Sequence, residues 1–190
     1  MNHGKTDLSK FDNSWYSHGA SSLKLLLWHL ISWAFFLNHI SFFSGIKVGL
    51  LRTFGARVGK GVVIKQCVRI KYPWLLEIGD NAWIGECVWI ENHALVKVGA
   101  NACISQGAML LCGNHDYKKE TFDLITGPIT LEEGVWIGAK ATVCPGVTCR
   151  SHAVLSVGSV ASTDLEPYTI YRGNPAVKVR ERVVGTAPVV

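Results

Sequence analysis

Aliphatic residues recur every six positions along most of the chain from Ala56 onward. In the first part, three such residues are followed by a step of eight, so the unit repeats every 20 residues, and a glycine repeats with it. An α-helix does not explain this period, because six residues at about 100° each do not return to one face. The series is Val58, Ile64, Ile70, Ile78, Ile84, Ile90, Val98, Ile104, Leu110, Leu131, Ile137, Val143, Cys149, Leu155 and Ala161.

A small or aliphatic residue also lies two positions before each member of this series, as at Ala56, Ala82 and Val135. Period two inside period six predicts a short strand with two inward side chains, followed by a turn. Three such strands make a triangular coil of about 18 residues, and coils stacked about 4.8 Å apart form a parallel β-helix. The pattern predicts about five coils between residues 56 and 163.

The N-terminal part contains an apolar segment, Leu25–Phe43, in which 14 of 19 residues are apolar. Its length is borderline for a membrane span. Ser22, His29, Ser32 and His39 draw a polar stripe along one side of a helix, which a lipid-facing span does not need. Two interpretations stay open. The segment packs as a helix or helix pair on the protein or on a sister subunit, or it lies on the inner membrane leaflet.

Composition narrows the class of protein. The 190 residues are 48% hydrophobic and 17% charged, with a mean hydropathy of +0.22, which excludes a disordered chain. The net charge of +5 comes without a long Lys/Arg run and argues against nucleic-acid binding. None of the 6 cysteines forms a CxxC pair, which excludes a zinc ribbon or a thioredoxin motif. With no cleavable signal peptide recognised, we expect a cytosolic protein with reduced thiols.

The repeat breaks between Leu110 and Leu131, where a loop over residues 112–128 replaces a short corner. Long insertions in repeat folds usually carry function. The loop begins CGNHDY, which places His115 near its start. Acyl transfer to an alcohol needs a base that works near neutral pH, and histidine is the natural choice. The other histidines are weaker candidates; His93 lies at a corner one coil below the loop and could line the cleft.

Five strings carry a family resemblance: LLRTFGARVGKGVVIK, IKYPW, ISQGAMLLCGNHDY, VWIGAKATVCPGVT and YRGNPAVKVRERV. The repeat over about residues 51–182 resembles the hexapeptide-repeat transferases, and these strings resemble the colanic-acid (exopolysaccharide) O-acetyltransferases among them. The resemblance implies a left-handed β-helix, a homotrimer with active sites between neighbouring prisms, and acetyl-CoA as the donor. It also implies that no metal takes part and that the acceptor is a sugar hydroxyl.

The resemblance assigns roles to individual residues. His115 corresponds to the catalytic base, and Ala139, after the string WIG, to the backbone donor that stabilises the oxyanion. Acceptor binding falls to Asn92, Asn114, Asp116 and Tyr117. Coenzyme A contacts fall to Trp136, Ala139, Ser159, Val160, Gly173, Pro175, Lys178 and Arg180.

The C-terminal region shows two further features. Asn174 and Pro175 predict the start of a short helix, as N-cap and first helical residue. Where many relatives read VTKD at the end of the last coil, this chain reads ASTD at 161–164. The lysine missing there could weaken phosphate binding or move it to Lys140 or Lys178.

The chain is thus expected to divide into a polar tail and apolar helical segment (1–54), a β-helix carrying the loop (55–165), and a C-terminal coenzyme A segment with a helix (166–190). The favoured function is O-acetylation of an exopolysaccharide or related glycan at the cytoplasmic side, free or at the inner membrane. The alternatives are a membrane-docked scaffold without catalysis and a metalloenzyme resembling the hexapeptide-type carbonic anhydrases, which needs three converging histidines.

Overall fold

The computed structural model describes residues 4–40 and 43–185 of the chain. Two helices, α1 (Ser22–Phe35) and α2 (Ser44–Thr53), precede the strands, and short 3-10 helices lie at Leu8–Lys10 and Pro73–Leu75. The strands are β1 (Arg57–Val58), β2 (Val63–Ile64), β3 (Arg69–Ile70), β4 (Leu76–Ile78), β5 (Trp83–Ile84), β6 (Trp89–Glu91), β7 (Val96–Val98), β8 (Cys103–Ile104), β9 (Met109–Leu111), β10 (Gly113–His115), β11 (Leu124–Thr126), β12 (Ile129–Leu131), β13 (Trp136–Ile137), β14 (Thr142–Val143), β15 (Thr148–Cys149), β16 (Val154–Leu155), β17 (Val160–Ala161), β18 (Thr169–Gly173) and β19 (Ala176–Glu181).

Most of these strands form three parallel sheets, which are the faces of a triangular prism. Face one is β1-β4-β7-β12-β15, face two runs from β2 through β5, β8, β13 and β16 to β18, and face three is β3-β6-β9-β14-β17. Residues 56–161 therefore make five complete coils, and β18 with a bridge at Leu165 begins a sixth. The predicted parallel β-helix is confirmed; its left hand stays an implication of the resemblance.

The core is the aliphatic series of the sequence, stacked in vertical columns. Along face two, Ile64, Ile84, Ile104, Ile137 and Leu155 pair in register, and each is fully buried. A rung of two or three residues can bury its inward side chains only against the rungs above and below, so the columns supply the apolar contact that holds the coils together.

The N-terminal helices cover the edge of the first coil on all three faces. An edge strand presents unpaired backbone groups that would otherwise recruit another chain. Side chains of α1 and α2 donate to these groups: Trp28 Nε1 to Ile70 O at 3.0 Å, Lys47 Nζ to Lys65 O at 2.6 Å, and Arg52 Nη2 to Val58 O at 2.8 Å. Lys47 is fully buried, and this burial lowers its pKa.

The apolar segment 25–43 is a helix followed by turns rather than one continuous helix. α1 ends at Phe35, and residues 41 and 42 lie outside the described residues. Ser32 of the polar stripe is buried against the β-helix, whereas the leucines of α1 face outward. Among the described residues, no helix combines the length and the apolar character needed to cross a bilayer.

The prediction of a C-terminal helix starting at Asn174 and Pro175 is wrong. β18 and β19 form an antiparallel hairpin, and the Asn174–Pro175 peptide in its turn is cis. Valines alternate with Lys178 and Arg180 along β19. This period of two and its β-branched residues favour a strand, and they outweigh the local capping signal.

Candidate functional site

The loop of residues 112–128 is a β-hairpin that projects from one corner of the prism. Its strands β10 and β11 pair antiparallel, with His115 opposite Leu124. The base of the hairpin is tied by Gly127 N–H, which donates to Cys112 O at 2.9 Å. At its tip Asp116 N–H donates to Asp123 O at 2.8 Å. The hairpin leaves after face three and returns into face one, so it marks the corner between these two faces.

The imidazole of His115 is held in one orientation. Its Nδ1 lies 2.9 Å from the carbonyl oxygen of Phe122. A carbonyl oxygen only accepts, so Nδ1 must carry the proton, and the lone pair is left on Nε2. The ring also stacks on the Phe122 ring, with centroids 4.5 Å apart and planes within 9°. This is the tautomer and the fixed geometry that a general base requires.

His115 opens onto a cleft of about 310 Å³ at the same corner. This corner cleft is lined by Trp89, Glu91, His93, Leu111, Gly113, Asn114, His115 and Leu124. A Cβ added at Gly113 would lie 2.9 Å from Cδ2 of His93. The glycine of the CGNHDY string is therefore the residue that lets the His93 ring pack directly beside the strand that carries His115.

A cluster of Lys71, Glu91 and His93 lies at this corner, with Glu91 and His93 lining the cleft and Lys71 beside them. Glu91 pairs with Lys71 and lies 3.1 Å from His93 Nε2, and it accepts from Trp89 Nε1 at 2.7 Å. Burial raises the pKa of the Glu91 carboxyl, but the hydrogen bonds from His93, Lys71 and Trp89 outweigh it and bring the pKa down to about 2. Glu91 is therefore an anion at neutral pH, and it holds the side chains of Lys71 and His93 beside it.

Sequence reasoning missed this cluster apart from His93, which it treated as a secondary candidate. A signal was present, since Lys71 and Glu91 are 20 residues apart, which is one repeat. Residues one repeat apart lie side by side in adjacent coils, and opposite charges at such positions predict a pair.

The predicted acceptor residues have different surroundings. Asn92 is fully buried, and its amide bonds the backbone of Tyr72 and of Leu75 at 2.6–3.0 Å. These bonds occupy both ends of the amide, so Asn92 supports the backbone of the coil below, and the sugar-binding role predicted for it stays a prediction. Asn114 lines the cleft. Asp116 accepts from Lys118 N–H at 3.2 Å in the hairpin turn, and Tyr117 is exposed beside it.

The residues predicted to contact acetyl-CoA lie elsewhere on the prism. Trp136 is half-exposed on face two and donates to Ser105 Oγ at 2.9 Å. Ala139 follows at the corner between faces two and three. Within the described residues its N–H has no hydrogen-bond acceptor, whereas its carbonyl accepts from Gly158. This free donor is what an oxyanion site needs, but it sits at a different corner from His115.

The remaining cofactor candidates surround the last coil and the C-terminal hairpin. Ser159 is buried, and its Oγ accepts from Gly173 N–H at 3.0 Å, which ties β18 to the coil. Val160 begins β17, and Gly173 and Pro175 flank the hairpin turn. Lys178 pairs with Glu166 at 2.7 Å, while Arg180 is exposed. One chain therefore does not bring these residues to His115.

The chain matches no family model. It is 36% identical, over 93% of its length and 97% of the relative, to an Escherichia coli K12 protein provisionally named colanic acid biosynthesis acetyltransferase WcaF. The chain belongs to the hexapeptide-repeat acetyltransferase family. It is also 27% identical to galactoside O-acetyltransferase of Escherichia coli, over 71% of this chain and 68% of that one.

Solved structures of the family share the fold. The hexapeptide-repeat acetyltransferase VCA0836 of Vibrio cholerae matches with a TM-score of 0.76 at 21% identity, over 86% of this chain and 94% of that one. A galactoside acetyltransferase in complex with coenzyme A matches with a TM-score of 0.71 at 24% identity, over 84% and 80% of the two chains. Among the described residues, no group of three or more histidine, cysteine or acidic side chains is arranged to hold a metal ion.

The depressed pKa of Glu91 predicts a loss of stability in acid. Its folded pKa of about 2 lies below the ordinary 4.5, so the stabilisation is complete above pH 4.5 and is lost as the pH falls towards 2. The full effect is at most roughly 3 kcal/mol. In urea unfolding between about pH 6 and pH 3, Glu91→Gln should lose less free energy of unfolding than the wild type. Glu77→Gln, which breaks an exposed pair with Arg57, is the control. Parallel curves for Glu91→Gln and the wild type would contradict the assignment.

Proposed function

We propose that this protein is an acetyl-CoA-dependent O-acetyltransferase that modifies a sugar hydroxyl during synthesis of an exopolysaccharide or a related glycan. The observation that carries the proposal is the His115 imidazole, tethered through Nδ1 and open at Nε2. The names of the relatives support the reaction class, and two related folds were solved with acetyl-CoA or coenzyme A bound.

The reaction is a direct transfer. Nε2 of His115 takes the proton from the sugar hydroxyl while that oxygen attacks the thioester carbonyl of acetyl-CoA. The carbonyl oxygen becomes an oxyanion and accepts from the N–H of Ala139. The intermediate then expels the thiolate of coenzyme A, which receives the proton back from the imidazolium. The Phe122 carbonyl stabilises that imidazolium through Nδ1–H. The products are the sugar ester and free coenzyme A.

The active protein is proposed to be a homotrimer. The base lies at the corner between faces three and one, and Ala139 lies at the corner between faces two and three. One full face separates them in a single rigid prism. Joining them requires a neighbouring chain whose Ala139 corner meets the His115 corner of the first. A cyclic arrangement of such heterologous contacts closes as a ring.

Coenzyme A is proposed to lie in the seam between two chains. Its thioester reaches Ala139 and Trp136 of one chain, and its pantetheine arm follows Ser159 and Val160. Its phosphates reach the hairpin turn at Gly173 and Pro175, with the cations of β19 beside them. Because Lys178 is paired with Glu166, Arg180 is the more available of the two cations.

His115→Ala should lower kcat for acetyl transfer by about 10²- to 10⁴-fold, the usual contribution of a general base. The KM for acetyl-CoA and the assembly state should not change, because the imidazole contacts Phe122 of the hairpin and Phe11 of the N-terminal tail, both within its own chain. Thiol release measured with a disulfide dye reports the rate. His29→Ala, at an exposed histidine of α1, is the control. Full activity of His115→Ala would refute the base assignment.

A shared site predicts complementation between two inactive variants. His115→Ala lacks the base, and Ala139→Pro lacks the oxyanion donor; each alone should be inactive. The two variants are unfolded and then refolded together in equal amounts. A quarter of the seams should then join an intact His115 to an intact Ala139, so the mixture should regain about a quarter of the wild-type activity. Circular dichroism checks that each variant folds. No recovery from folded, mixed trimers would show that both groups act within one chain.

We also propose that α1 rests on the cytoplasmic face of the inner membrane. Trp33 and Ile40 are 73% and 82% exposed, and Phe43 and Ile46 extend the same apolar surface around a shallow groove. An apolar surface with bulky aromatic residues is typical of a helix that lies in the membrane interface.

Sedimentation with vesicles of anionic phospholipid tests the membrane proposal. The wild type should pellet with the vesicles, and Trp33→Ser with Ile40→Ser should stay in the supernatant as intact trimers. If the wild type ignores vesicles and the double variant instead falls apart into monomers, the surface is a subunit contact and the membrane proposal is wrong.

A further inference from the structure

The N-terminal tail lies against the catalytic hairpin, although its sequence reads as a polar appendage. Asp7 N–H donates to Glu120 O at 2.8 Å, and Lys10 Nζ pairs with Glu120 Oε1 at the same distance. The intervening 3-10 turn is capped by Asp7, whose carboxylate accepts from Ser9. The turn delivers Phe11 onto the imidazole of His115, with ring centroids 5.8 Å apart.

The tail then follows the same corner of the prism towards the first coil. Tyr16 O–H donates to the carbonyl of His93 at 3.0 Å, and His93 Nδ1 lies 3.2 Å from the Tyr16 oxygen. Two residues later the carbonyl of His18 accepts from the indole N–H of Trp74. The three contact points sit at the corner of the third, second and first coil in turn. The tail therefore runs along this corner of the prism and contacts His115 and His93, which both line the corner cleft.

Specific contacts, rather than apolar burial, hold the tail in this place. Leu8 and Trp15, the large apolar residues on either side of Phe11, are 64% and 59% exposed. The groups that are engaged face functional side chains: Phe11 faces His115, and Tyr16 faces His93. Burial raises the pKa of the Tyr16 hydroxyl, which stays a neutral donor.

We propose that Phe11 is a positioning residue for the His115 imidazole and that Tyr16 is one for His93, both brought to the corner by the docked N-terminal tail. The expected effect on kcat rests on the proposed function. The position of the tail rests only on the contacts described above. Phe11 and Phe122 restrain the imidazole from two sides, so removing Phe11 frees the ring to turn. A misplacement of the reacting nitrogen by about 1 Å can cost about 100-fold in rate.

Phe11→Ala should lower kcat by roughly 10- to 100-fold, with the KM for acetyl-CoA and the thermal midpoint unchanged. Phe11→Tyr, which restores a ring at a position that is 38% exposed, should regain most of the rate. Leu8→Ala, in the same 3-10 turn but without a ring contact, is the matched control and should keep full activity. Equal losses in Phe11→Ala and Leu8→Ala, or no loss in Phe11→Ala, would overturn the proposal.

A charge exchange tests the second anchor. Lys10→Glu and Glu120→Lys should each lower kcat by a few-fold, since an exposed pair contributes little. The double variant should recover the rate, because the ion pair is rebuilt with reversed sign. Additive losses in the double variant would show that the tail does not act through this contact.

Nitrogen-15 NMR of the histidine rings separates this proposal from the proposed function. In the wild type the His115 signals should report protonated Nδ1 and bare Nε2, and Phe11→Ala should mix the two tautomers while Leu8→Ala does not. If the wild type transfers no acetyl group to any acceptor but the tautomer responds as stated, the function fails and the positioning role stands. An unchanged tautomer in Phe11→Ala would refute the positioning role whatever the enzyme does.

Discussion

The close stacking of very short parallel rungs is the constraint on which the rest of the structure depends. A rung of two or three residues has no stability of its own, so each depends on backbone bonds and aliphatic columns shared with its neighbours. The approach is so close that a Cβ at Gly99 would lie 2.6 Å from the carbonyl carbon of Glu132 in the next coil. This close contact explains why a glycine recurs at the same place in each repeat, at positions 59, 79 and 99.

The same stacking decides how chemical groups can be assembled. Residues at equivalent places in successive coils are forced side by side, which is how Lys71 pairs with Glu91 and how Glu91 shares a cleft with the hairpin that carries His115. Groups at different corners are kept apart just as firmly, because a packed prism cannot bend to join them. The fold therefore keeps the corner that carries His115 apart from the corner that carries Ala139. The proposed reaction, which needs both residues together, would have to draw on two chains.

The parts of the structure that repeat could be predicted from the sequence, and the parts that occur once could not. The inward columns and the interrupted coil follow from periodicity, and the position of His115 follows from the interruption. The sequence also does not show that the amide of Asn92 is hydrogen-bonded to the backbone of the coil below. The hairpin at 169–181 was misjudged because Asn174 and Pro175 suit both a helix start and a tight turn, and only the alternation along β19 separates them.

The contacts of the N-terminal tail were beyond sequence reasoning for a different reason. Asp7 and Glu120, which share a backbone bond, are more than a hundred positions apart, and neither belongs to a repeat. No periodicity relates such residues. The aromatic residues of the tail do stand out in a polar segment, at Phe11, Trp15 and Tyr16, and in retrospect they are the signal that this segment docks.

The orientation of α1 serves both the open edge of the β-helix and the hydrophobic core, which contains Trp28. The first coil exposes an edge strand on every face, and each edge needs donors for its carbonyls. In α1, Trp28 and Ser32 point inward and are buried, and the Trp28 indole N–H donates to Ile70 O. Four of its five leucines, Leu23, Leu26, Leu27 and Leu30, are left exposed on the outside. Exposed apolar area of this extent is unfavourable in water. The helix therefore closes the sheet edge but leaves an exposed apolar surface, which a partner has to cover.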